Sequence, residues 1–94
     1  MGYRDATLQP KGYVKVTSAG SVITPSVPSG AGRVIVKCET KGFRWRDDAV
    51  NPDGTTGMLI DVGDELFYTG QLRALRFIED GATSTGTLHF AYYA

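Results

Sequence analysis

Glycines punctuate this chain at short, nearly even intervals. Gly12, Gly20, Gly30, Gly42, Gly54, Gly63, Gly70 and Gly81 stand 7 to 12 residues apart. Turn signals at about 8–12-residue spacing leave room for strands but not for long helices, and they mark an all-β sandwich or barrel. The intervening segments alternate as half-buried strands do. In 12–17, Val14 and Val16 oppose Tyr13, Lys15 and Thr17. In 33–39, Val34, Val36 and Cys38 oppose Ile35, Lys37 and Glu39. In 85–93, Leu88, Phe90 and Tyr92 oppose Thr87, His89, Ala91 and Tyr93. The expectation is a compact antiparallel β-sandwich, jelly-roll-like, of about eight short strands at 12–17, 21–25, 33–39, 42–46, 57–61, 64–69, 73–79 and 85–93, with no long helix. An N-terminal arm, 1–11, precedes a single domain, 12–94. The run Gln71–Arg76 favours helix while Phe77-Ile78-Glu79 favours strand, so a single helical turn leading into a strand is expected there. The predicted core is Val14, Val34, Val36, Cys38, Trp45, Leu59, Leu66, Phe77, Leu88 and Phe90.

Charge and length exclude several functions. Ten basic residues balance ten acidic ones in 94 residues, giving a formal net charge of zero. Phosphate contacts need clustered positive charge, so no nucleic-acid partner is expected. No stretch approaches the roughly 20 apolar residues of a membrane span. Met1-Gly2-Tyr3-Arg4-Asp5 also lacks the basic-then-apolar order of a signal peptide. A single cysteine excludes an internal disulfide framework. A domain this small has a modest core, so it gains from a partner surface.

Catalytic and metal chemistry find no support. His89 is the sole histidine, and alternation sets it opposite Leu88 and Phe90, on a solvated or contact face. Cys38 shares a face with Val34 and Val36, where a thiol is inert packing. Gly30-Ala31-Gly32 opens like a dinucleotide fingerprint but leads into a strand and lacks the third glycine. The acidic stretch Asp47–Gly54 fails as an EF-hand, because aligning Gly54 with the invariant glycine puts Ala49 and Ile60 where oxygen ligands belong. Within it, Asn51-Pro52-Asp53-Gly54 has the composition of a type I turn. No catalytic residue, metal ligand or cofactor is therefore expected.

The most unusual local feature is Phe43-Arg44-Trp45-Arg46-Asp47-Asp48, with the aromatics on one strand face and the arginines on the other. The plainer reading has the aromatics in the core and the arginines paired with nearby acids on a neighbouring strand. The sharper reading makes one arginine an interface anchor, since Arg and Trp are enriched at hot spots.

Taken in order, the turn Val27-Pro28-Ser29-Gly30-Ala31, the strand 33–39, Phe43–Asp48, Thr55-Thr56-Gly57-Met58-Leu59, Arg76-Phe77-Ile78-Glu79 and the ending Phe90-Ala91-Tyr92-Tyr93 resemble small structural proteins of tailed bacteriophage virions. The resemblance covers most of 20–94. It implies a decoration, or cement, protein on the capsid surface of the virion, present in the host cytoplasm before assembly. Its partners would be the major capsid protein and further copies of itself, as a dimer or trimer. Candidate interface residues are Tyr3 and Arg4 in the arm, Arg44 and Arg46, and Tyr92 and Tyr93 at the end of the last strand. Related modules also serve as tail or head-fibre components. A carbohydrate-binding module is the rival class, with Trp45, Tyr92 or Tyr93 as its stacking platform.

Overall fold

A computed structural model describes residues 8–94. Seven strands form among them: β1 (Pro10–Thr17), β2 (Arg33–Glu39), β3 (Phe43–Arg46), β4 (Met58–Ile60), β5 (Leu66–Thr69), β6 (Arg76–Glu79) and β7 (Thr87–Tyr93). They make two antiparallel sheets, one of four strands in the order β1-β7-β2-β5 and one of three in the order β4-β3-β6. Among the described residues the only helical pieces are two 3₁₀ turns, Leu72–Ala74 and Asp80–Ala82. The chain is all-β and sandwich-like, as the glycine spacing requires.

The core lies where the inner faces of the two sheets meet. Val34, Val36 and Cys38 from β2 and Leu88, Phe90 and Tyr92 from β7 face Phe43, Ile60 and Phe77 from the smaller sheet. Phe77 meets Phe90 edge to face, with ring centroids 5.2 Å apart, a favoured aromatic geometry. Val14, Val16, Trp45 and Leu66 are half-buried against this cluster rather than sealed within it. Cys38 is buried, and its thiol donates to the Ile60 carbonyl at 3.5 Å. Burial, together with Asp61 and Asp64 nearby, pushes that thiol's pKa up.

Four expectations are corrected. The segment 21–25 is not a strand; it is reduced to one bridge, in which Ile23 exchanges backbone hydrogen bonds with Phe77 at 2.6 and 2.9 Å. Gly20, at φ 76°, turns the chain just before it, and Pro25 has no N–H to extend the pairing. Leu59 is 47% exposed, because β4 pairs it with Arg44 on the outer face and gives the core position to Ile60. The acidic turn closes two residues later than expected: Asp53 and Thr56 exchange backbone bonds, and the Asp53 carboxylate accepts from the Thr55 N–H at 2.9 Å. The strand expected at 73–79 begins only at Arg76, because the single helical turn expected before it, a 3₁₀ turn at Leu72–Ala74, occupies its start.

One interior group has no sequence precursor. Glu79 is fully buried, opposite Phe43 on β6. Its carboxylate accepts from the Thr83 hydroxyl at 2.5 Å, and from the Thr85 N–H and hydroxyl at 3.1 Å each. Burial penalises its charge, but these bonds, with one from the Gly86 backbone, outweigh that and hold the carboxyl below its usual range. Gly86 is required here, since a Cβ would stand 2.5 Å from the Glu79 carboxylate.

Candidate functional site

Strand order decides what the outer face of the larger sheet displays. Side chains directly opposite in an antiparallel ladder share a face, so the pairings read out as rows. Tyr13 pairs with Ala91, Ala91 with Ile35 and Ile35 with Phe67, which lays an apolar row across all four strands. Ile35 and Ala91 are its floor, while the ends stand up into solvent, Tyr13 62% and Phe67 48% exposed. The next row is Lys15, His89 and Lys37. On the other side, Arg33 pairs with Tyr93 and Thr69. Between Tyr13, His89 and Tyr93 lies a hollow of about 520 Å³.

A hydrogen-bonded relay fixes one wall of this hollow. The Tyr13 hydroxyl donates to Nδ1 of His89, and Nε2 of His89 donates to Glu39 at 2.9 Å. Both bonds are satisfied together when the neutral imidazole carries its proton on Nε2. The rings of Tyr13 and His89 stack, centroids 5.9 Å apart. The bond from His89 lowers the pKa of the Glu39 carboxyl. With Glu39 engaged, Lys15, Lys37 and Arg33 make no close ion pair among the described residues. The face is therefore apolar at its centre and cationic at its rim, and His89 lies on it as the alternation requires.

The named interface residues scatter. Tyr3 and Arg4 lie outside the described residues. Arg44 donates to Asp80 at 2.9 Å and to the Gly57 carbonyl at 3.1 Å. Arg46 makes a two-pronged pair with Asp48, at 3.0 and 2.6 Å. That pair raises the Arg46 pKa and lowers that of Asp48. Each arginine thus has an acid of its own: Arg44 reaches Asp80 just beyond the neighbouring β6, whereas Arg46 takes Asp48 from its own segment rather than from a neighbouring strand. Tyr92 points into the core, 1% exposed, because it continues the inward set of Leu88 and Phe90. Its hydroxyl has no hydrogen-bond partner among the described residues, and burial pushes its pKa up to about 12. Tyr93 lies on the outer face but is 7% exposed beside the hollow. Trp45 is half-buried, edge-on to Tyr68 at 6.1 Å. A stacking platform from Trp45, Tyr92 and Tyr93 does not form; the open rings are Tyr13 and Phe67.

Sequence reasoning missed Tyr13, Phe67 and Lys37 as members of one surface. Alternation assigns Tyr13 and Lys37 to the outward sets of their strands, pairing with β2 places Phe67 there, and only the order β1-β7-β2-β5 brings the three side by side. Among the described residues, no group of three or more His, Cys, Asp or Glu is placed to hold a metal. Nor is any helix among them long and apolar enough to cross a membrane. No family model, curated protein or solved structure matches the chain.

Proposed function

We propose that this chain is a non-enzymatic structural module that works by docking, a virion decoration protein that binds the assembled capsid of a tailed bacteriophage and stabilises it. The observation that carries the docking reading is the apolar row from Tyr13 to Phe67, open at both ends and edged by cations that make no close ion pair among the described residues. Exposed apolar surface rimmed by polar groups is the chemistry of a protein interface. The setting on a phage head rests on the sequence resemblance. A cement protein binds the lattice and not its free subunits, and it stabilises the lattice by mass action.

The test mixes the protein with undecorated capsids and, separately, with unassembled capsid subunits, then measures retention and capsid melting. Retention on capsids alone, with a raised melting temperature, is the expected result. Equal retention on both forms would overturn lattice-selective cementing. Retention on isolated tails or fibres instead would move the protein to that part of the virion, and retention on a host polysaccharide alone would make it a glycan-binding module.

A further inference from the structure

The formally neutral chain does not spread its charge evenly. Opposite in sign to the outer face of the larger sheet is the link between β4 and β5. There Asp61 and Asp64 close a tight turn, the Asp64 N–H donating to the Asp61 carbonyl at 3.0 Å and the Asp61 N–H to the Asp64 carboxylate at 3.1 Å. Gly63, at φ 95°, supplies the left-handed residue that this turn needs. Val62 stands at the tip, 53% exposed, and Asp61, Asp64 and Glu65 surround it with carboxylates. An apolar point ringed by acids and an apolar hollow edged by cations are complementary, and one molecule carries both.

The two patches also adjoin. The turn runs directly into β5, which carries Phe67. Leu66, the first residue of β5, lies opposite Val36, so Lys37 and the acidic turn stand at the same end of the β2–β5 ladder. Adjacent patches of opposite sign are self-complementary about a twofold axis, where each patch meets its opposite on the other copy.

We infer that the occupant of the outer face is a second copy of this chain, which sets its Val62 turn over the Ile35–Ala91 floor and brings its Glu65 to Lys37, while receiving the same contact in return. This rests on the reading of the face as a docking surface and names its partner. In this dimer the outer face is covered on both copies, so attachment to a repeating lattice falls to the remaining surfaces, which occur twice and make it bivalent.

Sedimentation across a range of concentrations reads the association directly, without capsids. The wild-type chain is expected to pass from monomer to dimer as concentration rises. Lys37→Glu and Glu65→Lys, each alone, set like charges against each other and should weaken the dimer at least about tenfold. Both sites are exposed, so thermal melting of each variant should stay close to the parent. An equimolar mixture of the two variants restores opposite charges at both contacts and should recover dimer. Phe67→Ser and Val62→Ser should each lose dimer without a charge change. A wild-type chain that stays monomeric at every concentration would overturn the inference, as would a dimer untouched by either charge reversal or a mixture that fails to recover it. A monomeric chain whose Phe67→Ser variant loses capsid retention would leave the docking surface in place and make the capsid its occupant. A dimer without capsid retention would leave the inference standing and remove the cement reading.

Discussion

The outer faces of the two sheets carry similar residues and put them to opposite use. On the smaller sheet, Leu59, Arg44 and Ile78 form one row, and Arg46 pairs with Arg76 beside it. Arg44 is held by Asp80 and a carbonyl, and Arg46 by Asp48. Arg76 donates to the carbonyls of Arg73 and Leu75 at 2.7 and 2.8 Å. On the larger sheet, Glu39 is taken by His89, and Lys15 and Lys37 make no close ion pair among the described residues. The difference shows that residue type is a poor guide to an interface. Arginine and tryptophan drew attention to the smaller sheet, but the arginines are already paired within the chain and the Trp45 ring is packed against Tyr68. The available chemistry lies across the molecule, in lysine, tyrosine and phenylalanine.

The comparison breaks most completely if the layer beneath both faces is removed. Phe77 is fully buried between the sheets, so Phe77→Ala should cost about 3–5 kcal/mol and lower the melting temperature for both faces together. A denaturant midpoint near that of the parent would show that the sheets do not share one core.

Glu79→Gln comes next. It removes the charge from a carboxylate that accepts bonds from Thr83 and Thr85, and a cost of about 2–3 kcal/mol is expected. The same group sets an acid limit. Its folded pKa lies below the ordinary glutamate value. The stabilisation is therefore complete above the unfolded value of about 4.3 and is lost as pH falls through the folded value. Melting temperature measured from pH 7 to pH 3 should drop steeply below pH 4.5 or so in the parent, and the Glu79→Gln variant should show a shallower fall. Parallel curves would assign the acid limb to other carboxylates.

Smaller effects sharpen the contrast between the faces. Tyr92→Phe deletes a buried hydroxyl without a partner among the described residues and should stabilise by about 1 kcal/mol, read as a raised melting temperature. Arg44→Met should cost about 1 kcal/mol, since its ion pair with Asp80 is partly exposed, and should leave self-association unchanged. Tyr13→Ser on the larger sheet reverses that pattern. Its effect on melting should be within about 0.5 kcal/mol, as for other surface changes, while self-association falls. If Arg44→Met weakened the dimer and Tyr13→Ser did not, the two faces would have to exchange roles.

Legibility in the sequence followed how far each segment constrained its own phase. In 33–39 and 85–93, polar and apolar residues alternate for long enough to fix which side faces inward, and β2 and β7 obey it. The same alternation already joins Tyr92 to Leu88 and Phe90, so the interior place of Tyr92 could have been read in advance. Met58-Leu59-Ile60 has no polar member, and nothing local decides between Leu59 and Ile60; pairing with β3 decides it. Glu79 was illegible for a different reason. A carboxylate is at home in the interior only if a loop supplies donors, and Thr83, Thr85 and Gly86 look like ordinary turn residues until the backbone wraps them around it. Of the candidate site, the outward side of Tyr13 and Lys37 was legible. The surface itself was not, because it is made by strand order, and strand order is a tertiary property.

That order also governs how the protein can be made. In the larger sheet β7 lies between β1 and β2, although it is the last of the seven strands to be translated. No nascent chain that stops short of β7 can close this sheet. At ordinary elongation rates of about 5–20 residues per second, β2 waits several seconds for the neighbour that covers one of its edges. During that interval Val34-Ile35-Val36 is an uncovered β-branched run, the composition that recruits strands from other chains. Arg33 and Lys37 bracket it with positive charge, as gatekeepers do. On the ribosome, the cations that edge the finished surface repel other copies of the run that they enclose.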